Sequence, residues 1–566
     1  MALSRTAKRK TTAPLKANSR RAVRATPRAR PVSGYSTADH STSPPRIEFP
    51  RLYNAAADLI GPNLAAGRGK RTAIIDDRGS YTYSALDRHV NRCGNALAAL
   101  GLAPEQRVML ILLDTIDFPG VFLGAIKLGA VPIPVNTLLT ADDYAFMLRD
   151  SRARVLVVSA ALFDRVKPAL RDQPWLETVV VAGGEVPGTK SLARLVAKAS
   201  DRLDPAATTA DDVAFWLYSS GSTGTPKGAV HVHSSLVTTA ELYARPTLGL
   251  TENDVVFSVA KLFFAYGLGN ALTFPLRAGA TSVLMAERPT PQSVCRILTG
   301  HRPTVFYGVP TFYAALLASN ELPDKGGHRL RACVSAGEAL PEDIGQRWAK
   351  RTGIDIYDGI GSTEMLHIFL SNGPRALRYG TTGKAVPGYE LRLADETGRP
   401  VKPGEVGELL VSGSSSAAYY WNNRARSRST FQGEWTRTGD KYLMSEDGFF
   451  TYCGRTDDML KVGGIYVSPF EVEAALVTHP AVLEAAVIGV ADDNHLIKPK
   501  AYVVLKAGQT PVGGLDDELK QHVRDRLAPY KYPRWIEFVT DLPKTATGKI
   551  QRFKLRQREA ERAKPA

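Results

Sequence analysis

From Phe49 onward, short apolar runs alternate with longer stretches whose apolar residues recur every three or four positions. Residues 72–76 and 79–83 are two β-like runs around a tight polar break, the pattern of a hairpin. Residues 84–100 then read as a helix with a serine start. Beyond it, 107–112 predicts a buried strand, 118–128 a helix, 130–134 a strand, 142–150 a helix and 155–158 a strand. Four more apolar strands are expected at 254–258, 281–285, 305–309 and 332–336, each followed by a polar turn or a helix. Strands that alternate with helices predict parallel β-α-β layering, an α/β fold. After Gly388 the texture changes to short β segments with Gly-rich turns, including 408–412 and 448–452. A last βαβ-like block starts near Asp457, with helices expected at 469–478 and 516–527 and strands at 484–490 and 501–506.

A chain of 566 residues is too long for one ordinary core, so two or more domains are expected. Its 44% hydrophobic and 23% charged content is that of a soluble globular protein. No apolar run approaches the roughly 18 residues needed to span a bilayer. The four cysteines, Cys93, Cys295, Cys333 and Cys453, are isolated, which argues against a zinc site or a disulfide framework and fits a reducing cytoplasm.

The net charge of +16 suggests nucleic acid until it is located. Residues 1–46 carry eleven Lys/Arg and one acid, Asp39, so ten of the sixteen charges sit in that segment. This stretch is rich in Arg, Ala, Ser, Thr and Pro and cannot bury enough surface to fold alone. A disordered, dispensable tail is expected there; a transit peptide or a polyanion-binding arm is the competing reading. The body is only mildly basic, and specific nucleic-acid binding is not expected of it.

Chemistry is concentrated in five stretches. The first is Tyr218-Ser219-Ser220-Gly221-Ser222-Thr223-Gly224-Thr225-Pro226-Lys227-Gly228, which follows the apolar run 213–217. Glycines let consecutive N–H groups converge on an anion, hydroxyls add donors, and lysine adds a mobile charge suited to phosphate. The Walker pattern cannot be laid onto it. A polyphosphate clamp is favoured over a polar linker. The second stretch, Asp358-Gly359-Ile360-Gly361-Ser362-Thr363-Glu364, places a carboxylate just past a strand end, where one acid beside a phosphate loop suits Mg²⁺. The third, 435–440, reads as a turn ending in Asp440, a candidate acceptor for ribose hydroxyls. The fourth, 454–464, reads as a charged linker between domains, and the fifth, 543–552, as a cationic turn carrying Lys549.

In this order the five stretches resemble the adenylate-forming superfamily of acyl-CoA synthetases, luciferases and peptide-synthetase adenylation domains. The resemblance covers about residues 50–556. It implies a large N-terminal domain of layered β-α-β sheets with a β-rich subdomain, residues 47–456, and a small mobile C-terminal α+β domain, residues 457–566. The implied reaction joins a carboxylate to ATP, giving acyl-AMP and pyrophosphate, and then transfers the acyl group to a thiol. Ser219, Ser220, Gly221, Ser222, Thr223, Gly224, Thr225 and Lys227 would hold the β- and γ-phosphates. Thr223 and Glu364 would bind Mg²⁺, Asp440 the ribose with help from Arg455, and Lys549 both the carboxylate and the α-phosphate. Gly337, Glu338, Asp358, Gly359, Ile360 and Thr363 would border the nucleotide. Many members place an aromatic residue on adenine where this chain has Ile360, so apolar contact replaces stacking there, with Tyr357 nearby.

For the thiol step the resemblance implies rotation about a hinge at Asp457, which brings Lys461, Gly463 and Gly464 to a pantetheine tunnel. Free CoA is favoured over an attached carrier. The segments 261–270, 364–369 and 420–424 resemble the benzoate–CoA ligase branch, so that Ala265, Tyr266, Gly267, Ile360 and His367 would line a short flat pocket for one aromatic ring. The expected function is an AMP-forming ligase for benzoate or a substituted benzoate. A cyclohexanecarboxylate or medium-chain ligase, and an enzyme loading a separate carrier protein, stay open beside it. The expected partners are an aryl acid, ATP and CoA, in the cytoplasm; a homodimer, and a lysine acyltransferase or deacylase acting on Lys549, also stay open.

Overall fold

The structure is a computed structural model that describes residues 34–562 apart from 220–225, 457, 463–464, 493–495, 512, 529 and 545–549. The tail through residue 33, the phosphate loop, the hinge Asp457, the glycines Gly463 and Gly464, and Lys549 lie outside the described residues.

A large N-terminal domain holds two main sheets. One has nine strands, with Thr72–Asp76, Thr281–Val283, Val255–Ser258, Val305–Gly308, Ala332–Ser335 and Ile356–Gly361 side by side and parallel. The other has five parallel strands, with Arg107–Ile111 between Val131–Pro134 and Val155–Ser159. The helices expected between them form, such as Asp117–Leu128, Ala141–Ser151 and Pro291–Gly300. Continuous burial of strands such as Val155–Ser159 and Val305–Gly308 follows from helices or sheets covering both faces, which is why they read as unbroken apolar runs.

The strand Val213–Ser219 pairs antiparallel with Lys227–Val232 in a separate small sheet. Phe215 and Leu217 join the core around the helices 55–65, 83–99 and 117–128, whereas Trp216 joins the core of the five-stranded sheet. Period-two alternation with two apolar faces therefore wedges the root of the phosphate loop into the body. The β-rich region after Gly388 forms as expected from Glu390–Ala394, Val406–Ser412, Trp435–Met444 and Phe450–Arg455. A small C-terminal domain carries Val482–Ala491, Ile497–Leu505 and Trp535–Phe538 in one sheet, with the helices Pro469–Val477 and Leu515–Arg524 packed on its apolar side.

Four local expectations are corrected. The helix read as 84–100 is Tyr83–Ala99, and its cap is Thr82, whose side chain accepts from the Ala85 N–H, because the preceding strand ends on that residue. The stretch 435–440 is not a turn: it is the start of the ten-residue strand Trp435–Met444, paired on both sides, with the positive-φ Gly439 (φ 72°) absorbed inside it. The stretch 454–464 is less a linker than a continuation of pairing, since Phe450–Arg455 ends in it and Leu460–Val462 pairs with Ile465–Val467. Residues 34–46, expected to belong to an unfolded tail, are ordered on the body. Thr37–Asp39 pairs with Arg46–Glu48, Ser36 is buried, and its hydroxyl donates to Asp58 Oδ2 at 2.5 Å.

Candidate active site

The root of the phosphate loop is the pair Ser219 and Lys227, opposite each other at the open end of the hairpin. Lys227 Nζ lies 3.8 Å from Glu364 Oε1. Tyr420 bridges them: its hydroxyl donates to Glu364 Oε1 at 2.7 Å and accepts from Lys227 Nζ at 3.3 Å. Its ring centre is 4.6 Å from the same ammonium, a cation–π contact. Tyr420 reaches this point because Tyr419–Tyr420 adds a third strand to the hairpin, Tyr420 opposite Ala229. Burial lowers the Lys227 pKa, the charges of Arg426 and Arg455 lower it further, and Glu364 opposes both.

Glu364 follows the strand Ile356–Gly361. Asp358, Gly359, Ile360 and Gly361 lie inside that strand rather than in the loop beyond it, and only Ser362, Thr363 and Glu364 form the turn. The turn is held from three sides. The Met365 N–H donates to Ser362 Oγ at 3.1 Å, His231 Nε2–H donates to the Thr363 carbonyl at 2.7 Å, and the Ala417 N–H donates to the Glu364 carbonyl at 2.7 Å. His231 is fully buried and stays neutral, its pKa lowered to about 4 by loss of water.

Asp440 and Arg455 face each other across paired strands, with Arg455 Nη1 donating to Asp440 Oδ1 at 3.1 Å and to the Thr438 carbonyl at 2.9 Å. Gly439 makes room for this, since a side chain there would meet the guanidinium. Gly337 and Glu338 occupy the turn after Ala332–Ser335, with Gly337 at φ 94°. Asp358 is buried, its Oδ1 has no hydrogen-bond partner among the described residues, and burial holds its carboxyl well above the usual range.

The other end of the same segment is apolar. His367 is 2% exposed and sits among Phe274, Tyr243 and Tyr266, with ring centres 4.4, 5.5 and 5.6 Å away. Its Nε2–H donates to Asn270 Oδ1 at 3.0 Å, and burial drops its pKa to about 3, so the ring is neutral. Leu366 takes φ 66°, an uncommon conformation for a leucine, in the step that leads from the Glu364 turn to His367. Ala265 and Tyr266 start a short helix, and the Tyr266 hydroxyl donates to the Gly308 and Val334 carbonyls at 3.3 and 3.2 Å, at the carboxyl ends of two parallel strands. That is where open α/β sheets hold ligands. A side chain at Gly267 would collide with the carbonyls of Ala260 and Lys261, so the glycine lets 260–264 fold beneath the helix. Ile360 and Tyr357 pack with Tyr266 on the edge of the same core.

The structure thus brings Lys227, Glu364, Asp440, Arg455, Asp358, Ile360, Ala265, Tyr266, Gly267 and His367 onto neighbouring elements. Of the tunnel residues, Lys461 lies in the strand Leu460–Val462. Sequence reading singled out the segment of Tyr420 but gave that residue no role, and it missed Arg426 and Tyr243. Tyr420 had a signal, an aromatic pair beside the polar run 422–424, but Tyr243 had none, because it lies in a helical stretch whose π-helical turn, Ala240–Ala244, no periodicity announces. Among the described residues there is no cluster of three or more His, Cys, Asp or Glu, and no helix is long and apolar enough to cross a membrane.

Comparison with known proteins places this geometry. Residues 63–421 match the AMP-binding enzyme family, and residues 471–549 match the AMP-binding enzyme C-terminal domain. The chain is 63% identical to the benzoate–CoA ligase of Thauera aromatica over 523 residues, covering 92% of this chain and 99% of the relative. Among solved structures it is similar to a benzoate CoA ligase from Burkholderia xenovorans LB400, with a TM-score of 0.83, 55% identity, and 89% of this chain and 100% of that one covered. It is likewise similar to an anthranilate CoA ligase in complex with anthranoyl-AMP, with a TM-score of 0.87, 44% identity, and 91% and 98% covered. The chain belongs to the AMP-binding, adenylate-forming enzyme family.

Proposed function

We propose that this chain is an AMP-forming ligase that activates an aromatic carboxylate, benzoate or a substituted benzoate, as its acyl-adenylate and transfers it to CoA. The observation that carries the reading is one segment, residues 358–367, that holds the acid Glu364 beside Lys227 at one face and the caged His367 at the other. A flat ring fits among aromatic side chains with few polar groups, while its carboxylate is directed toward the cationic side.

The carboxylate and the triphosphate repel each other, so in-line attack at the α-phosphate needs fixed positive charge. Lys227, Arg455 and Lys549 supply it in this reading. Asp440 takes the ribose hydroxyls, and Asp358, Gly337, Glu338 and Ile360 border the base. Glu364 fits a divalent cation: its Oε1 is already held by Tyr420, and a lone carboxylate suits Mg²⁺, which keeps waters and phosphate oxygens as its other ligands. Thr223 and Glu364 would hold that ion, which when bound offsets charge on the terminal phosphates. For transfer to the thiol, the C-terminal domain turns about Asp457, Lys549 leaves, and Lys461, Gly463 and Gly464 line the approach of pantetheine.

The test is a panel of acids with ATP, Mg²⁺ and CoA, reading AMP release. Benzoate and small ring-substituted benzoates are expected to lead. A preference for long-chain or alicyclic acids overturns the pocket assignment.

A further inference from the structure

Among the described residues, Tyr420 is the one side chain that touches both charges at the root of the phosphate loop. Lys227 and Glu364 are 13% and 16% exposed, carry opposite charge, and are otherwise placed to close into a tight ion pair. Such a pair would compete with both of the ligands that the functional reading assigns to them. The distance between them is instead 3.8 Å, beyond a direct hydrogen bond. The phenol occupies the gap, donating to Glu364 Oε1 and accepting from Lys227 Nζ, while its ring lies against the ammonium.

The tyrosine is itself fixed before any ligand arrives. It is 2% exposed, its N–H donates to Ser427 Oγ at 2.9 Å, its ring lies 5.1 Å from that of Phe431, and its backbone is paired with Ala229. A phenol with an O–H to give and a lone pair to receive can satisfy a carboxylate and an ammonium together, which phenylalanine cannot. The donation to Oε1 fixes the orientation of the Glu364 carboxylate.

We propose that Tyr420 is a positioning residue that keeps Lys227 and Glu364 apart and oriented, so that the ammonium is available to the triphosphate and the carboxylate to a divalent cation. This rests on the adenylation reading above. It assigns Tyr420 to the first half-reaction only, since neither charge is needed for attack of a thiol on a finished acyl-adenylate.

Tyr420→Phe removes the hydroxyl and keeps the ring. The measurement is calorimetric binding of ATP with and without Mg²⁺, paired with the Mg²⁺ dependence of aryl-adenylate formation. The variant is expected to need about tenfold more Mg²⁺ for half-saturation and to lose about the same factor of the Mg²⁺-dependent gain in ATP affinity, the size of one hydrogen bond to a charged group. Thioester formation from preformed aryl-adenylate and CoA should stay unchanged, as should the melting temperature within a few degrees. In a Glu364→Gln background the hydroxyl should matter little, because its target has been neutralised. Wild-type Mg²⁺ dependence in Tyr420→Phe, equal loss in both half-reactions, or a full loss persisting beside Glu364→Gln would each overturn the proposal in favour of plain packing. Wild-type protein that releases no AMP with any aromatic acid would instead overturn the functional reading on which it rests.

Discussion

The two ends of the segment 358–367 are built from opposite chemistry. At the phosphate end, charged groups face one another at separations that an incoming ligand can change: Lys227 with Glu364 across Tyr420, and Arg455, 41% exposed, against Asp440. At the ring end burial works against charge on the side chains around His367. His367 is neutral and the Tyr266 phenol is held far above its ordinary pKa, in both cases mainly through burial. The difference teaches what each end must do. In the proposed reading, polyphosphate and metal are recognised by trading charge partners, which demands that the resident pairs be loose, whereas an aromatic ring is recognised by shape in a site where any unpaired charge would be expensive.

The largest test of this division is at Glu364. Glu364→Gln should lower adenylate formation by about 10²–10³-fold, the loss typical of removing one preorganised electrostatic contact, and by the same factor for every acid. Isotope exchange between pyrophosphate and ATP reads this directly. A loss that depends on the ring of the acid would mean that the two ends are not independent.

The phosphate end was legible in the sequence because its parts are contiguous. Residues 218–228 hold the glycines, hydroxyls and lysine of one loop, and the apolar run 213–217 before it reads as the strand that carries it. The ring end was legible only through a likeness to other proteins. Phe274, Tyr243 and His367 come from three distant elements, and each alone looks like an ordinary core residue. The turn reading of 435–440 failed for a related reason: Thr-Gly-Asp is common in turns, and only pairing with strands on both sides, which is non-local, makes it extended. The tail boundary failed because Ser36 and His40 find their partners, Asp58 and Glu241, 22 and 201 residues away.

Asp114 is the exception at the ring end, and it gives the next test. It is buried, accepts from the Leu262 N–H at 3.3 Å beneath the segment that leads to Tyr266, and burial raises its carboxyl from 3.8 to about 6 against the pull of Lys261. The unfolded chain ionises this group above about pH 4, the folded chain only above about pH 6. The folded state therefore binds the extra proton, and its stability falls as pH rises across that window and levels off above it. A gap of about two units corresponds to about 3 kcal/mol. Asp114→Asn keeps the acceptor for Leu262, so its melting temperature should gain on the wild type between pH 4 and 6 and hold that lead at pH 8. A lead that is the same at every pH would show that the carboxyl titrates alike in the folded and the unfolded chain, with no shift on burial.

His367→Ala should act on acid and leave ATP alone. Removing the ring opens space among Phe274, Tyr243 and Tyr266, so kcat/KM for benzoate should fall by about 10–100-fold, the usual effect of a poorly filled apolar pocket. Bulkier ring acids should lose less, and KM for ATP should stay put. A uniform loss across acids would point to a disturbed Glu364 turn, three residues before His367 in the same chain segment, rather than to the pocket.

The smallest effect separates the two ends from a distance. Residues 34–48 reach the ring end through Glu241. Ser36 donates to Asp58, His40 Nε2 lies 2.7 Å from Glu241 Oε2, and Arg277 ties both acids together. Glu241 belongs to the π-helical turn that also carries Tyr243, whose ring lies 5.5 Å from His367. Deleting residues 2–33 keeps all of these contacts and should leave both substrates unaffected. Deleting through residue 46 strips two partners from buried carboxylates, each worth about 1 kcal/mol, and loosens the turn behind the ring. KM for the acid should then rise two- to threefold, by order of magnitude for such a perturbation, with KM for ATP unchanged. Equal shifts in both constants would show that the strap steadies the whole domain, and the contrast between a loose phosphate end and a rigid ring end would have to be drawn without it.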